Sequence, residues 1–286
     1  MKKVSLGLLA ATLVVLLLTG CLGGSSSKLI QITGSDTMVN LARGWAQEFM
    51  SENPDIEISV DGGGSSVGIR AITNGTTDIA SSSREISSEE IKAAEEKGVT
   101  PNKIIVGYDG IVVAVSPKNP LNKLTTDQIA DIFSGKITNW KQVGGDDAKM
   151  VVFSRESSSG TYDFFKEHIL NKGDNKGGVN FAPGVSLLNN SSQIVDQISS
   201  NPKAIGYFGM GYATKDIKEI KVAKDKNSPY LKPTIEKVKS KEYTISRSLQ
   251  VYTKGEPKGE IKKFVDFMLG KKGQSVLEEA GFVSIK

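Results

Sequence analysis

Residues 104–115 read Ile-Ile-Val-Gly-Tyr-Asp-Gly-Ile-Val-Val-Ala-Val. Strands in globular proteins usually hold about five or six residues, so this β-favouring run is too long for a single ordinary strand. Tyr108-Asp109-Gly110 stands at its middle, and the Asp-Gly pair predicts a bend where the chain passes from one lobe into another. A second long β-favouring run, Tyr243–Thr253, is placed to carry the chain back. A lobe interrupted in this way by a second lobe implies two crossing strands and a cleft between the lobes.

Outward from that run, short β-branched stretches alternate with helical patterns from Leu29 onward, which predicts an α/β protein with mainly parallel sheets flanked by helices. Leu29–Thr33 reads as a strand, and Met38, Leu41, Ala42, Trp45 and Phe49 fall on one helical face. Ser87 with Glu90 and Thr125 with Gln128 form capping-box patterns that start two further helices. Tyr162–Leu170 is expected to be helical, and two helices close the chain near Gly270 and Gly281. The expected division is residues 29–110 plus 245–286 for lobe 1 and residues 111–244 for lobe 2. No internal repeat is evident.

The first residues carry a processing signal. Lys2 and Lys3 precede an apolar run from Val4 to Leu18, and Leu18-Thr19-Gly20-Cys21 follows. A membrane-spanning helix needs about 18 to 20 apolar residues, and this run is shorter and stops at small residues beside the only cysteine. Residues 1–20 therefore read as a lipoprotein signal peptide cleaved before Cys21. A diacylglyceryl group on Cys21 brings two acyl chains, enough for stable anchoring, and the Gly/Ser-rich residues 21–28 form a flexible tether. The expected location is extracytoplasmic, on the outer side of the cell membrane.

Of the 286 residues, 36 are Lys or Arg, 32 Asp or Glu, one is His and one is Cys. A lipidated Cys21 leaves no disulfide, and a single His supplies no zinc ligand set. The near balance of charge argues against a nucleic-acid surface, which needs clustered Lys and Arg. Acids interleave the Lys-rich stretch from Lys215 to Lys241, so it reads as a solvated face.

Three times a strand runs into a turn of Gly, Ser and Thr that opens a helix. The turns are Gly34-Ser35-Asp36-Thr37, Gly62-Gly63-Gly64-Ser65-Ser66 and Ser157-Ser158-Ser159-Gly160-Thr161. A helix N-terminus offers unpaired N–H groups and positive potential, and Ser and Thr add hydroxyl donors. Taken singly, each turn reads first as an ordinary N-cap. The third turn is more telling because Arg155 precedes it, and a guanidinium fork binds tetrahedral oxyanions bidentately. A surface ion pair of Arg155 with Glu156 or another acid is the plainer alternative. No nucleotide-binding Gly-x-x-x-x-Gly-Lys-[Ser/Thr] occurs, and His168, the single histidine, falls inside a predicted helix.

The order of these motifs, with Thr77-Asp78-Ile79-Ala80-Ser81-Ser82-Ser83-Arg84-Glu85 between the second and third turns, resembles the phosphate-binding proteins of ABC phosphate importers, the PstS family. Asp131-Ile132-Phe133-Ser134-Gly135-Lys136-Ile137-Thr138-Asn139-Trp140 is also similar to a segment of that family, and the likeness runs from about Ile30 to the C-terminus. The resemblance implies a two-lobed type II periplasmic-binding-protein fold that closes on inorganic phosphate, with no cofactor and no catalysis. Carried over by position, it implies ligands at Asp36, Thr37, Ser65, Ser83, Arg155, Ser159, Gly160 and Thr161, with Ser35 and Ser82 as neighbouring candidates. Arg84 either reaches the anion or pairs with Glu85 or Asp78. Many members carry an aspartate where this chain has Ser83, so Asp36 is the candidate acceptor for the phosphate proton, or else an N-cap that never meets the ligand. The implied partners are the importer's permease and ATPase, with the chain acting as a monomer. Sulfate, molybdate or tungstate is the alternative ligand, and a serine hydrolase the more distant alternative.

Overall fold

The computed structural model describes residues 28–174 and 177–285; the expected leader, Cys21 and most of the tether lie outside them. Strand β1 (Lys28–Gly34) pairs in parallel with both β2 (Ile56–Gly63) and β3 (Ile79–Ser82). Parallel neighbours need a crossover. Helix α1 (Val39–Glu52) supplies the first and α2 (Ser65–Thr73) the second. Along α1 the buried residues are Leu41, Ala42, Trp45, Ala46 and Phe49, the face that the sequence spacing predicts.

Helix α3 (Ser88–Glu95) starts at the expected capping box, with Ser87 and Glu90 each accepting from the other's backbone N–H. Then comes β4 (Pro101–Val115), and the stretch from 104 to 115 proves to be part of one unbroken strand of 15 residues. Its passage between lobes is an exchange of partners. As far as Gly110 it pairs antiparallel with β11, and from Ile111 onward it pairs antiparallel with β8. Gly110 does not take a left-handed conformation there. Its missing side chain instead makes room, because a Cβ would lie 2.7 Å from Pro233 and Val238. Both faces of β4 beyond this point are covered, which explains an uninterrupted apolar run in place of an alternating one.

The second lobe follows as β5 (Lys123–Thr125), α4 (Thr126–Phe133), β6 (Val151–Arg155), α5 (Gly160–Phe165), β7 (Ser186–Leu188), α6 (Ser191–Ser200) and β8 (Ala204–Gly209). Thr125 and Gln128 form the second expected capping box, at the start of α4. Helix α5 begins at Gly160, two residues before the predicted start, and passes into a π-helical turn over Lys166–Leu170. After β9 (Lys218–Glu219), β10 (Lys221–Ala223) and α7 (Ile235–Lys239), β11 (Ser246–Lys254) returns to the first lobe. Helices α8 (Gly259–Leu269) and α9 (Lys271–Glu279) close the chain. The main sheet therefore runs β2-β1-β3-β11-β4-β8-β6-β7, with β9 beside β4 and β5–β10 as a separate pair. No helix among the described residues is long and apolar enough to cross a membrane.

Each lobe has its own core. The first is built on Ile30, Ile32, Trp45, Phe49 and Phe264, and the indole N–H of Trp45 donates to the Gly273 carbonyl at 2.7 Å. In the second, Phe165 stacks on Tyr207 with centroids 3.7 Å apart, and Phe133 meets both rings edge-on. Phe165→Ala empties the centre of that cluster and is expected to cost about 3–5 kcal/mol, read from the midpoint of urea denaturation at unchanged slope.

Candidate functional site

Glycines let the three turns approach one another. Gly34 has φ +145°, and a Cβ on it would lie 2.1 Å from the Ser81 carbonyl oxygen. Its absence lets the Ser35 N–H donate to that oxygen at 2.9 Å and buries Ser35 and Thr37. The Gly64 N–H in turn donates to the Gly34 carbonyl at 2.9 Å, which ties the second turn to the first. The third turn belongs to the other lobe, and the Ser66 N–H reaches across to the Ser158 carbonyl at 3.1 Å.

Where the turns meet, hydroxyl groups gather. Ser65 Oγ accepts from the Ser83 N–H at 3.0 Å and lies 3.4 Å from Ser83 Oγ. Ser159 caps α5, its Oγ accepting from the Thr161 N–H at 3.2 Å. Gly160 presses directly on this group, for a Cβ there would stand 2.3 Å from Ser65 Oγ and 3.0 Å from Ser83 Oγ. Across the cleft, Thr161 Oγ1 and Thr37 Oγ1 are 2.8 Å apart. The structure thus brings Ser35, Thr37, Ser65, Ser83, Ser159, Gly160 and Thr161 into one buried interlobe region. Ser82 is buried nearby, with its hydroxyl donating to the Arg84 carbonyl at 2.7 Å.

Arg155 is buried, and Glu156 is not its partner. Its Nη1 donates to Ser191 Oγ at 2.8 Å, while Nη2 donates to the Asn189 carbonyl at 2.9 Å and to Asp36 Oδ2 at 3.0 Å. Asp36 comes from the opposite lobe, and its Oδ2 also accepts from the Ser191 N–H at 3.1 Å. Burial draws the Arg155 pKa down, and the Asp36 carboxylate opposes that shift. The Nε of Arg155 is buried with no hydrogen-bond partner among the described residues. A cationic N–H in that condition is costly unless an acceptor joins it.

A second ion pair, which the turns do not announce, lies on the crossing strands. Arg247 of β11 faces Asp109 of β4 directly in register. Its Nε and Nη2 both donate to Asp109 Oδ2, at 3.0 and 2.7 Å. Oδ1 of Asp109 accepts from the Met210 N–H at 2.9 Å. Nη2 of Arg247 also donates to Thr161 Oγ1 at 3.0 Å and lies 3.5 Å from Thr37 Oγ1, so it touches both lobes. The sequence did hold a signal for this pair, because each long β run carries an isolated charge near its middle.

Arg84 does not pair with the side chain of Glu85 or of Asp78. Glu85 pairs with Lys103, and Asp78 accepts from the Gln31 N–H. The guanidinium of Arg84 instead forks onto Glu90 at 2.7 and 2.8 Å, meets Ser66 Oγ at 2.8 Å, and crosses to Asp163 of α5 at 2.8 Å. Burial acts to raise the Glu90 pKa, but Arg84 and the Ser87 N–H hold it below the usual carboxylate value. Arg84 is therefore a clasp between the lobes. It lines a groove of about 830 Å³ together with Asp163, Phe164, His168 and Arg247. His168 hydrogen-bonds the Phe164 carbonyl at 3.1 Å and stacks on its ring.

Chemically, the site offers hydroxyls, two helix N-termini and two guanidiniums, each tied to a carboxylate. Such a set suits a small anion with several acceptor oxygens. Among the described residues no group of three or more His, Cys, Asp or Glu is arranged to hold a metal ion.

A family model described as a PBP superfamily domain matches residues 23–272. The chain is 35% identical over 289 residues to the phosphate-binding protein PstS of Borreliella burgdorferi, with 100% of each covered. It is 33% identical over 279 residues to the PstS of Pseudomonas aeruginosa, covering 92% of this chain and 84% of the relative. A solved phosphate ABC transporter substrate-binding protein with bound phosphate from Clostridium perfringens superposes with a TM-score of 0.80 at 31% identity, over 91% of this chain and 100% of that one.

A methyl group at position 160 would act as a wedge across the cleft. Gly160→Ala is expected to hold the lobes apart, so that X-ray scattering in solution returns a larger radius of gyration than for the unaltered chain. Equal radii would contradict the close approach of Gly160 to Ser65.

Proposed function

This chain belongs to the PstS family of phosphate-binding proteins within the PBP superfamily, and from that premise we propose that it captures inorganic phosphate outside the cytoplasm and delivers it to an ABC importer. It is a binding protein and not an enzyme. The observation that carries the reading is the buried Arg155 Nε, a cationic donor left without an acceptor, on a guanidinium held at the N-terminus of α6. A phosphate oxygen is the acceptor it lacks.

The proposed ligand set is Ser35, Asp36, Thr37, Ser65 and Ser83 from lobe 1, with Arg155, Ser159, Gly160 and Thr161 from lobe 2. The proposed lobes are residues 29–110 plus 245–286 and residues 111–244, a division supported by the partner exchange after Gly110. Closure brings the two halves of this set together, as hinge closure does in binding proteins generally. Contacts from Ser66 to Ser158, Thr37 to Thr161, Asp36 to Arg155 and Arg84 to Asp163 correspond to the closed form.

Selectivity rests on a carboxylate. Phosphate near neutral pH carries a proton and sulfate does not, so a fixed acceptor favours the first and repels the second. With Ser83 in place of an acid, Asp36 is the proposed acceptor through Oδ1, since Oδ2 is occupied by Arg155 and Ser191. Cys21 is the proposed lipid attachment point, supported by the short apolar run ending in Leu18-Thr19-Gly20. The proposed partners are the importer's permease and ATPase, engaged by a monomer held at the membrane.

Titration calorimetry on the chain starting after Cys21 is expected to give tight phosphate binding that millimolar sulfate does not displace, with arsenate competing. Sulfate or molybdate binding more tightly than phosphate would contradict the assignment. Asp36→Asn is expected to weaken phosphate by about tenfold or more and sulfate by less, so the ratio between them narrows. An unchanged ratio would leave Asp36 as a support for Arg155 alone. In cells fed labelled palmitate, Cys21→Ser is expected to abolish label on the chain and release it to the soluble fraction.

A further inference from the structure

We infer that Arg247 is a second guanidinium ligand of the captured anion, and that with Arg155 it makes the site a receptor for the doubly charged form. This rests on the phosphate reading above. Arg247 is buried, at 6% exposure, and its Nη1 has no hydrogen-bond partner among the described residues. Three buried side-chain nitrogen or oxygen atoms are left in that condition, and the two that carry positive charge are Nε of Arg155 and Nη1 of Arg247. The rest of the Arg247 fork is fully occupied. Asp109 holds Nε and Nη2, and Nη2 also meets Thr161 and Thr37, both members of the proposed ligand set. Nη1 is thus a donor anchored within reach of the same hydroxyl cluster.

Charge arithmetic points the same way. The lining holds Arg155 and Arg247 against Asp36 and Asp109, a sum of zero. Burial lowers the Arg247 pKa, Asp109 opposes this, and the neighbouring Arg155 charge lowers it further, so the two cations repel. An anion accepting from both relieves that repulsion, and a dianion does so more than a monoanion. Phe164 supports the arrangement from the side, its ring centroid 5.5 Å from the Arg247 guanidinium carbon. Titratable and charged groups facing Arg247 are Asp109, Arg155 and Tyr207, and the groove it lines adds Arg84, Glu85, Glu89, Glu90, Asp163, Glu167 and His168.

The test compares phosphate affinity by calorimetry at pH 6 and pH 8 for the unaltered chain, Arg247→Gln and Arg247→Lys, with His168→Gln as a control for the imidazole that lines the same groove. Arg247→Lys keeps a positive charge against Asp109 and removes the fork, so it is expected to fold while losing affinity. Arg247→Gln leaves the lining net negative. It is expected to weaken binding on the order of 100-fold at pH 8 and distinctly less at pH 6, where phosphate is mostly singly charged. Equal losses at both pH values, or none, would overturn the inference. A crystal structure of the unaltered chain with phosphate tests the same contact without any variant: Nη1 farther than about 3.5 Å from every phosphate oxygen also overturns it. If the unaltered chain fails to bind phosphate at all, the functional reading falls and the role of Arg247 falls with it, whereas tight binding that is indifferent to Arg247 removes this inference alone.

Discussion

The antiparallel pairing of β4 with β11, with Asp109 facing Arg247 across it, is the constraint on which the rest of the molecule is arranged. Both strands must pass through the junction of the lobes, and both carry a full charge there. A single buried charge would be costly, and two of opposite sign in register satisfy each other only partly. The pair therefore fixes strand register, aims one end of a guanidinium at the cleft, and draws Met210 of the second lobe onto the same carboxylate. Through Thr161 and Thr37 it also touches the hydroxyl groups that the turns bring together.

The same economy appears at Arg155. Its carboxylate partner, Asp36, comes from the opposite lobe and reaches the N-terminus of α6 as well. Each guanidinium is positioned by an acid on one side and left with a free donor on the other. This division fits a guest that is bound by directed N–H and O–H groups more than by net charge. It also explains why so many of the contacting groups are small. Gly64 and Gly160 each stand where an added Cβ would strike a neighbouring turn, and Gly34 where it would strike the backbone of Ser81 in β3.

Much of this was legible in the sequence, for physical reasons that differ by element. Capping boxes at Ser87 and Thr125 are local, so their patterns sufficed. The three glycine-rich turns were readable because N-termini of helices need hydroxyl and glycine chemistry wherever they lie. Residues 104–115 announced a crossing but not its form. The Asp109-Gly110 pair suggested a bend, whereas the chain continues as one strand and changes partners. Pairing is a long-range property, and that is also why Arg247 and the true partners of Arg84 were not evident. Glu90 and Asp163 reach Arg84 only after α3 and α5 have been packed.

Glu90 completes the capping box of α3 and also grips Arg84, which clasps the lobes. One carboxylate thus carries a local folding signal and a long-range mechanical duty. A codon change at this position would fray a helix start and loosen a distant fastening together, so the two traits are inherited as one.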